Sequence, residues 1–288
     1  MSFEASLLTR LVALVRQGEF PVIGLNGPVG AGKSILARRL AQQAAAQGLN
    51  LAVASIDDAY LPWHPRLLAM AGNPFSVDRV PPGSHDPGLL VESIVGWRRG
   101  RQGGTSSPGL LRLPRFDKRL RQGAGDRSGF SQHVADGLLL EGWLIGCRPL
   151  GVSQIQATSG SGASLVGSPC LTADEWAWLP RWNQALETYQ PLWQQLNGLW
   201  VLWPMDWRLP RRWRFQAEAK QRRLGGGWLS GTKIEQLVRS SLCSLPPELY
   251  LKPLLTGANQ LRLLDCRRRS LWEGPGRDFD PSDALLIR

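Results

Sequence analysis

Eight residues limit what this chain can fold into more than any others: Gly27-Pro28-Val29-Gly30-Ala31-Gly32-Lys33-Ser34, a full match to G-x-x-x-x-G-K-[ST]. The apolar run at 20–26 before it reads as a buried strand. After it, Ile35, Leu36, Leu40, Ala41 and Ala44 recur at helical spacing up to about Gln47, where Gly48 supplies a C-terminal cap. Strand, glycine loop and helix form the one context in which the pattern has a mechanism. Glycines let the backbone N–H groups curl around phosphate oxygens, and the helix N-terminus places a partial positive charge behind them. Lys33 is expected to reach the β- and γ-phosphates of a nucleotide and Ser34 to ligate Mg²⁺. A glycine-rich turn without a ligand is the plainer alternative, and the complete motif in its proper context counts against it.

Further apolar runs at 51–56, 137–140, 198–203 and 260–265 predict strands, and helical spacing appears at 89–99, 172–196, 207–224, 231–243 and 246–254. Leu7, Leu8, Leu11, Leu14 and Val15 predict an amphipathic N-terminal helix. The Pro- and Gly-rich stretch 61–88 reads as irregular, 100–109 as a Gly/Ser turn, and about 151–170 as a low-complexity surface insertion. Alternating strands and helices predict an α/β fold of the P-loop NTPase class. Its largely parallel central sheet would carry helices on both faces and an Arg-rich, lid-like helix at 207–224, all within one domain spanning 1–288. Of 288 residues, 43% are hydrophobic and 20% charged, which excludes a disordered or collagenous chain. The net charge of +11 favours anionic partners. Four cysteines, none in a C-x-x-C pair, exclude a disulfide scaffold and a zinc-ligand pattern, and predict a reducing, cytoplasmic setting. No uncharged run is apolar enough for a membrane span, so no membrane partner is expected.

In a parallel sheet, ligands meet the C-terminal ends of the strands. There the second strand ends in Asp57-Asp58 and the third in Glu141. Asp57 is the candidate base with Asp58 in reserve, and Glu141 the candidate metal residue; the competing reading is that an acid merely caps the loop after it. No Asn-Lys-x-Asp guanine motif occurs, nor any protein-kinase signature. A P-loop ATPase or a kinase of small molecules remains.

Several further segments resemble one family. Ser55-Ile56-Asp57-Asp58-Ala59-Tyr60-Leu61 is similar to the S-I-D-D-F-Y-L segment of the P-loop D-glycerate 3-kinases, relatives of uridine kinase and phosphoribulokinase. In the same order come Arg79-Val80-Pro81-Pro82-Gly83-Ser84-His85-Asp86, resembling R-G-x-P-G-[ST]-H-D, and Pro114-Arg115-Phe116-Asp117-Lys118 with Gly125-Asp126-Arg127, resembling P-x-[FY]-D-K and G-D-R. Glu141-Gly142-Trp143 with Gly146 and Pro149 resembles E-G-W-x-x-G-x-x-P, and Trp213-Arg214 with Gln216, Ala217 and Glu218 resembles W-R-x-Q-A-E. The matches span about residues 20 to 270, with a gap at the insertion. Val80 stands where the pattern has Gly, Ala59 where it has Phe, and Arg119 where Ser is common.

The resemblance implies transfer of the γ-phosphoryl group of ATP, with Mg²⁺, to a hydroxyl of D-glycerate. A carboxylate acceptor needs a cation, and Arg127 is favoured, with Lys118 and Arg79 close behind. His85 and Asp86 either bind substrate and orient Asp57, or pack and cap the next helix. Arg214 is the candidate lid arginine. The tryptophans concentrated in the second half read as packing residues rather than a base-stacking platform. Two alternatives stay open: a P-loop kinase for another alcohol, nucleoside or pantothenate-like, and a nucleic-acid-associated ATPase. The balance points away from nucleic acid.

Overall fold

In the computed structural model, which describes residues 1–102, 110–151, 153–155, 165–223 and 229–282, the five predicted strands lie side by side in one sheet with a sixth that was not predicted. These are β1 (Val22–Asn26), β2 (Leu51–Ser55), β5 (Gly137–Gly142), β6 (Gly198–Pro204), β7 (Gln260–Leu264) and β8 (Ser270–Gly274), in the order β2-β5-β1-β6-β7-β8. All neighbours are parallel except β8, which runs antiparallel to β7. The central strands β1 and β5 are buried at every position. That is why they read as continuous apolar runs rather than alternating ones.

Side chains alternate between the two faces with the period of a strand. Ile23, Leu25, Leu139 and Leu202 join a cluster with α1 (Phe3–Arg16) and α2 (Lys33–Ala45). Val22, Leu138, Leu140, Val201 and Trp203 face the other way. They meet α4 (Pro87–Gln102), α5 (Ala173–Ala185) and α7 (Gly231–Cys243) there, alongside the shorter turns around Tyr189 and Tyr250. α6 (Leu209–Arg223) is the Arg-rich helix, and its Trp213 is fully buried against the first cluster. Trp182, Trp193, Trp200, Trp203 and Trp207 are buried as well, so they serve as packing residues.

Four elements were not legible as such. The stretch read as irregular contains α3 (Trp63–Met70). A separate antiparallel hairpin, β3 (Leu110–Asp117) and β4 (Asp126–Val134), leads into β5. β8 forms the antiparallel edge of the main sheet. β4 is half exposed or exposed throughout and carries Asp, Arg, Ser, Gln and His, so no apolar alternation marks it. The helix expected at 172–196 is α5 followed by short turns, and the one at 246–254 is Pro247–Tyr250 followed by a 3₁₀ turn. Most of the Gly/Ser turn, and residues 152 and 156–164 of the insertion, lie outside the described residues. Among the described residues no helix is long and apolar enough to cross a membrane.

Candidate active site

The sheet register builds the site. Glu141 pairs with Leu25 of β1 and with Ser55 of β2, so three strand ends finish level. The glycine loop, Asp57 and the acidic end of β5 therefore reach one rim. Within the loop, Gly30 (φ 77°) and Gly32 (φ 94°) take left-handed conformations. A Cβ at Gly30 would lie 2.8 Å from Trp213 Cβ and 2.9 Å from the Arg214 backbone nitrogen, so only glycine lets the loop approach α6 this closely. Lys33 Nζ donates to the carbonyls of Gly27 (2.8 Å) and Pro28 (3.0 Å). Burial lowers the Lys33 pKa, with the Glu141 and Asp57 charges acting in the opposite direction. Ser34 Oγ donates to Glu141 Oε1 at 2.7 Å.

These groups fit a nucleotide with a hard cation. No side chain caps the start of α2, as an anion cradle requires. Among the described residues no three His, Cys, Asp or Glu converge as a metal cage. One hydroxyl and one carboxylate of oxygen chemistry suit Mg²⁺, which binds through one or two protein ligands plus phosphates and waters.

Asp57 lies between Lys118 and His85. Its Oδ2 accepts from Lys118 Nζ at 2.9 Å, and its Oδ1 faces His85 Nε2 at 3.8 Å. Burial would raise its pKa, but the Lys118 charge and the His85 contact outweigh it and hold the carboxyl well below its usual range. His85 is stacked on Tyr60, with ring centroids 4.3 Å apart, and burial lowers its pKa despite Asp57. The Tyr189 hydroxyl accepts from Gly83 N–H (3.2 Å) and lies 2.8 Å from His85 Nδ1. The Ser84 hydroxyl lies 3.4 Å from the same Nδ1, so this ring nitrogen is held by two hydroxyls while Nε2 is turned to the Asp57 side.

A cavity of about 80 Å³ opens between this carboxylate and the glycine loop. It is lined by Val29, Asp57, Tyr60, Arg79, Val80, Lys118, Arg214, Leu237 and Val238. Three of the candidate cations, Arg79, Lys118 and Arg214, thus share one small space with the candidate base. Arg79 also donates to the carbonyls of Gly123 and Ala124, and Arg214 pairs with Glu218 one turn along α6. Arg127 is engaged differently: its Nε donates to the Tyr60 carbonyl (3.0 Å) and its Nη2 to Asp86 Oδ2 (2.8 Å). Asp86 also caps α4 through Leu89 N–H, whereas His85 is the member of the pair that faces Asp57. Asp58 turns back to accept from Ser55 N–H at 3.0 Å, closing a capping box.

Sequence reasoning missed three residues that hold this arrangement. Arg66 is fully buried and donates to the carbonyls of Leu61, Asp78, Ala124 and Gly125, tying together the segments that carry Tyr60, Arg79 and Arg127. Tyr189 sits in a helical turn with no local marker of function. Arg268, at φ 64°, donates to Gly30 O (2.7 Å), Trp213 O (3.1 Å) and Gln216 Oε1 (3.2 Å), joining the glycine loop to α6. In sequence it is one of three consecutive arginines, and nothing distinguishes it from its neighbours.

No family model matches the chain. It is 28% identical over 209 residues to an uncharacterized kinase, mug58, of Schizosaccharomyces pombe, covering 68% of this chain and 69% of that protein. It is 27% identical over 226 residues to the chloroplastic D-glycerate 3-kinase of Arabidopsis thaliana, covering 75% of this chain; the match spans 45% of the plant protein's length. The solved D-glycerate 3-kinase of Cryptococcus neoformans superposes with a TM-score of 0.77 at 23% identity, covering 94% of this chain and 97% of that one. The solved YGR205w protein gives 0.71 at 22% identity, covering 95% and 98%. At such identities the superpositions establish the fold. The chain has the fold of these P-loop kinases and resembles the D-glycerate 3-kinases in its motifs and its sequence.

Proposed function

We propose that this protein transfers the γ-phosphoryl group of ATP to the 3-hydroxyl of D-glycerate, giving 3-phosphoglycerate and ADP. The observation that carries the reading is the cavity of about 80 Å³, in which a carboxylate base and three cations meet the side chain of glycine-loop residue Val29. Pockets for drug-sized ligands run to about 300–1,000 Å³, so the space suits a short hydroxy acid rather than a nucleoside or a pantothenate-like alcohol. The relatives named D-glycerate 3-kinase support the same acceptor.

The backbone N–H groups of the glycine loop, which Pro28 lacks, and the Lys33 ammonium would hold the phosphates; Ser34 and Glu141 would hold Mg²⁺, which would supply positive charge against the transferring group. Arg79 and Lys118 take the acceptor's carboxylate, and Arg214 faces the transferring group. The acceptor oxygen forms its bond to Pγ as the bond to the β-bridging oxygen breaks, and the hydroxyl proton passes to Asp57 Oδ. As Lys118 turns from Asp57 to the acceptor's carboxylate, Asp57 loses its closest cation and its affinity for that proton rises. Arg127 orders this side of the site through Asp86 and the Tyr60 carbonyl. The four free cysteines fit a cytoplasmic enzyme, and 1–288 is read as one kinase domain.

A coupled ADP assay with product identification tests the proposal. ADP release that depends on D-glycerate, with 3-phosphoglycerate as product, is the expected result. Hydrolysis stimulated by polynucleotide but indifferent to glycerate would refute it.

A further inference from the structure

Among the described residues that line the cavity, Val80 is the branched apolar one whose backbone is strained. Its φ is 95°, in the region that glycine occupies readily and a β-branched residue essentially avoids. Pro81 comes next, which restricts the backbone of residue 80 further. Such strain persists only where the surroundings over-determine it. Here they do so on both sides. Asp78 O accepts from Arg66, and Arg79 is pinned to Gly123 O and Ala124 O. Pro81 O accepts from Ser84 Oγ (2.7 Å), Gly83 N–H donates to Tyr189, and Leu61 N–H donates to Ser84 O (2.9 Å). Residue 80 is therefore held rigidly, in a conformation that gives no local reason for valine.

Val80 lines the cavity. With Val29, Leu237 and Val238 it makes the apolar wall, while Asp57, Arg79, Lys118 and Arg214 make the polar one. An acceptor whose hydroxyl meets Asp57 and whose carboxylate meets Arg79 or Lys118 must run its carbon chain along the apolar wall. We propose that Val80 is the length filter of the acceptor site: its two methyl groups admit a three-carbon hydroxy acid and exclude a longer one. The inference rests on the glycerate kinase reading and deepens it.

The test compares the unsubstituted enzyme with Val80→Ala and Val80→Gly, measuring kcat/KM for D-glycerate and for the four-carbon D-erythronate, together with the KM for ATP. One extra carbon against a tight wall is discriminated about 10–200-fold, so both variants should raise the erythronate-to-glycerate ratio by at least about tenfold, with the KM for ATP unchanged. Val80→Gly should also melt at a higher temperature than Val80→Ala, because alanine retains the Cβ that the positive φ disfavours. Glycerate turnover with an unchanged ratio in both variants would overturn the filter alone, as would Val80→Ala melting above Val80→Gly. An unsubstituted enzyme that binds ATP yet phosphorylates neither acid would overturn the kinase reading and the filter with it.

Discussion

Replacing Lys118 with Met removes the charge nearest to Asp57 while keeping most of the side chain's length. The two groups are 2.9 Å apart. At that separation Coulomb's law gives about 1.4 kcal/mol in a water-like dielectric and about 5.7 kcal/mol at an effective dielectric of about 20. The Lys118 side chain is 57% exposed and that of Asp57 29%, so solvent screening favours the lower end. A loss of about 1.4–2 kcal/mol corresponds to roughly one to one and a half pKa units. The Asp57 carboxyl, held well below its usual range in the intact site, should therefore titrate at least about one unit higher in Lys118→Met. A depressed carboxylate pKa contributes stability above its unfolded value, and that contribution is lost as pH falls through the folded value, so the variant should lose part of it at neutral pH. Titration by ¹³C NMR of labelled aspartate reads the shift directly. The acid limb of kcat/KM reports the same free-enzyme group and should move up with it. An Asp57 titration unchanged by the substitution would show that Lys118 does not set the charge of this carboxylate, and the pairing on which its catalytic role rests would fall.

Glu141→Gln keeps an acceptor for Ser34 Oγ but removes the charge beside the proposed cation, so the apparent affinity for Mg²⁺ should fall about 10–100-fold and turnover should recover at high Mg²⁺; a saturation curve against free Mg²⁺ checks this. Tyr189→Phe leaves Gly83 N–H and His85 Nδ1 without the hydroxyl between them, and should destabilise the fold by about 1–3 kcal/mol in urea unfolding. It should also lower kcat for glycerate while leaving the KM for ATP in place, whereas a purely structural hydroxyl would leave kcat unmoved. The buried His85 has a folded pKa below that of the unfolded chain, so between those two values the unfolded state binds more protons and stability falls as pH is lowered from about 7. Urea midpoints at a series of pH values should show this slope, and His85→Phe should flatten it; an equal slope in the variant would remove His85 as its source.

The glycine loop was legible because its chemistry is local. Eight consecutive residues carry the amides, the lysine and the hydroxyl, and the flanking apolar run and helix need only their own periodicity to be recognised. Asp57 and Glu141 could be assigned to the same rim because parallel strands of similar length end level, and the register confirms it by placing Glu141 beside Leu25 and Ser55. The cations could not be ranked in this way. Arg127 and Arg79 both lie in family-like segments, yet Arg127 is taken up by Asp86 and the Tyr60 carbonyl while Arg79 lines the cavity. The choice depends on how the β3–β4 hairpin lies against the Pro-rich stretch, and the polar, half-exposed β4 left no pattern from which that hairpin could be read.

The sequence by itself determined the phosphate cradle, the parallel sheet and the acids at its rim, because each arises from neighbours in the chain or from the common end of aligned strands. Only the tertiary structure decided which cations line the cavity beside Asp57, how Tyr189, His85 and Asp57 lie together, and that Val80 is held at a glycine-like φ. These outcomes depend on groups brought together from distant parts of the chain, and on burial that takes each one away from water. Residue type and spacing along the chain carry neither kind of information.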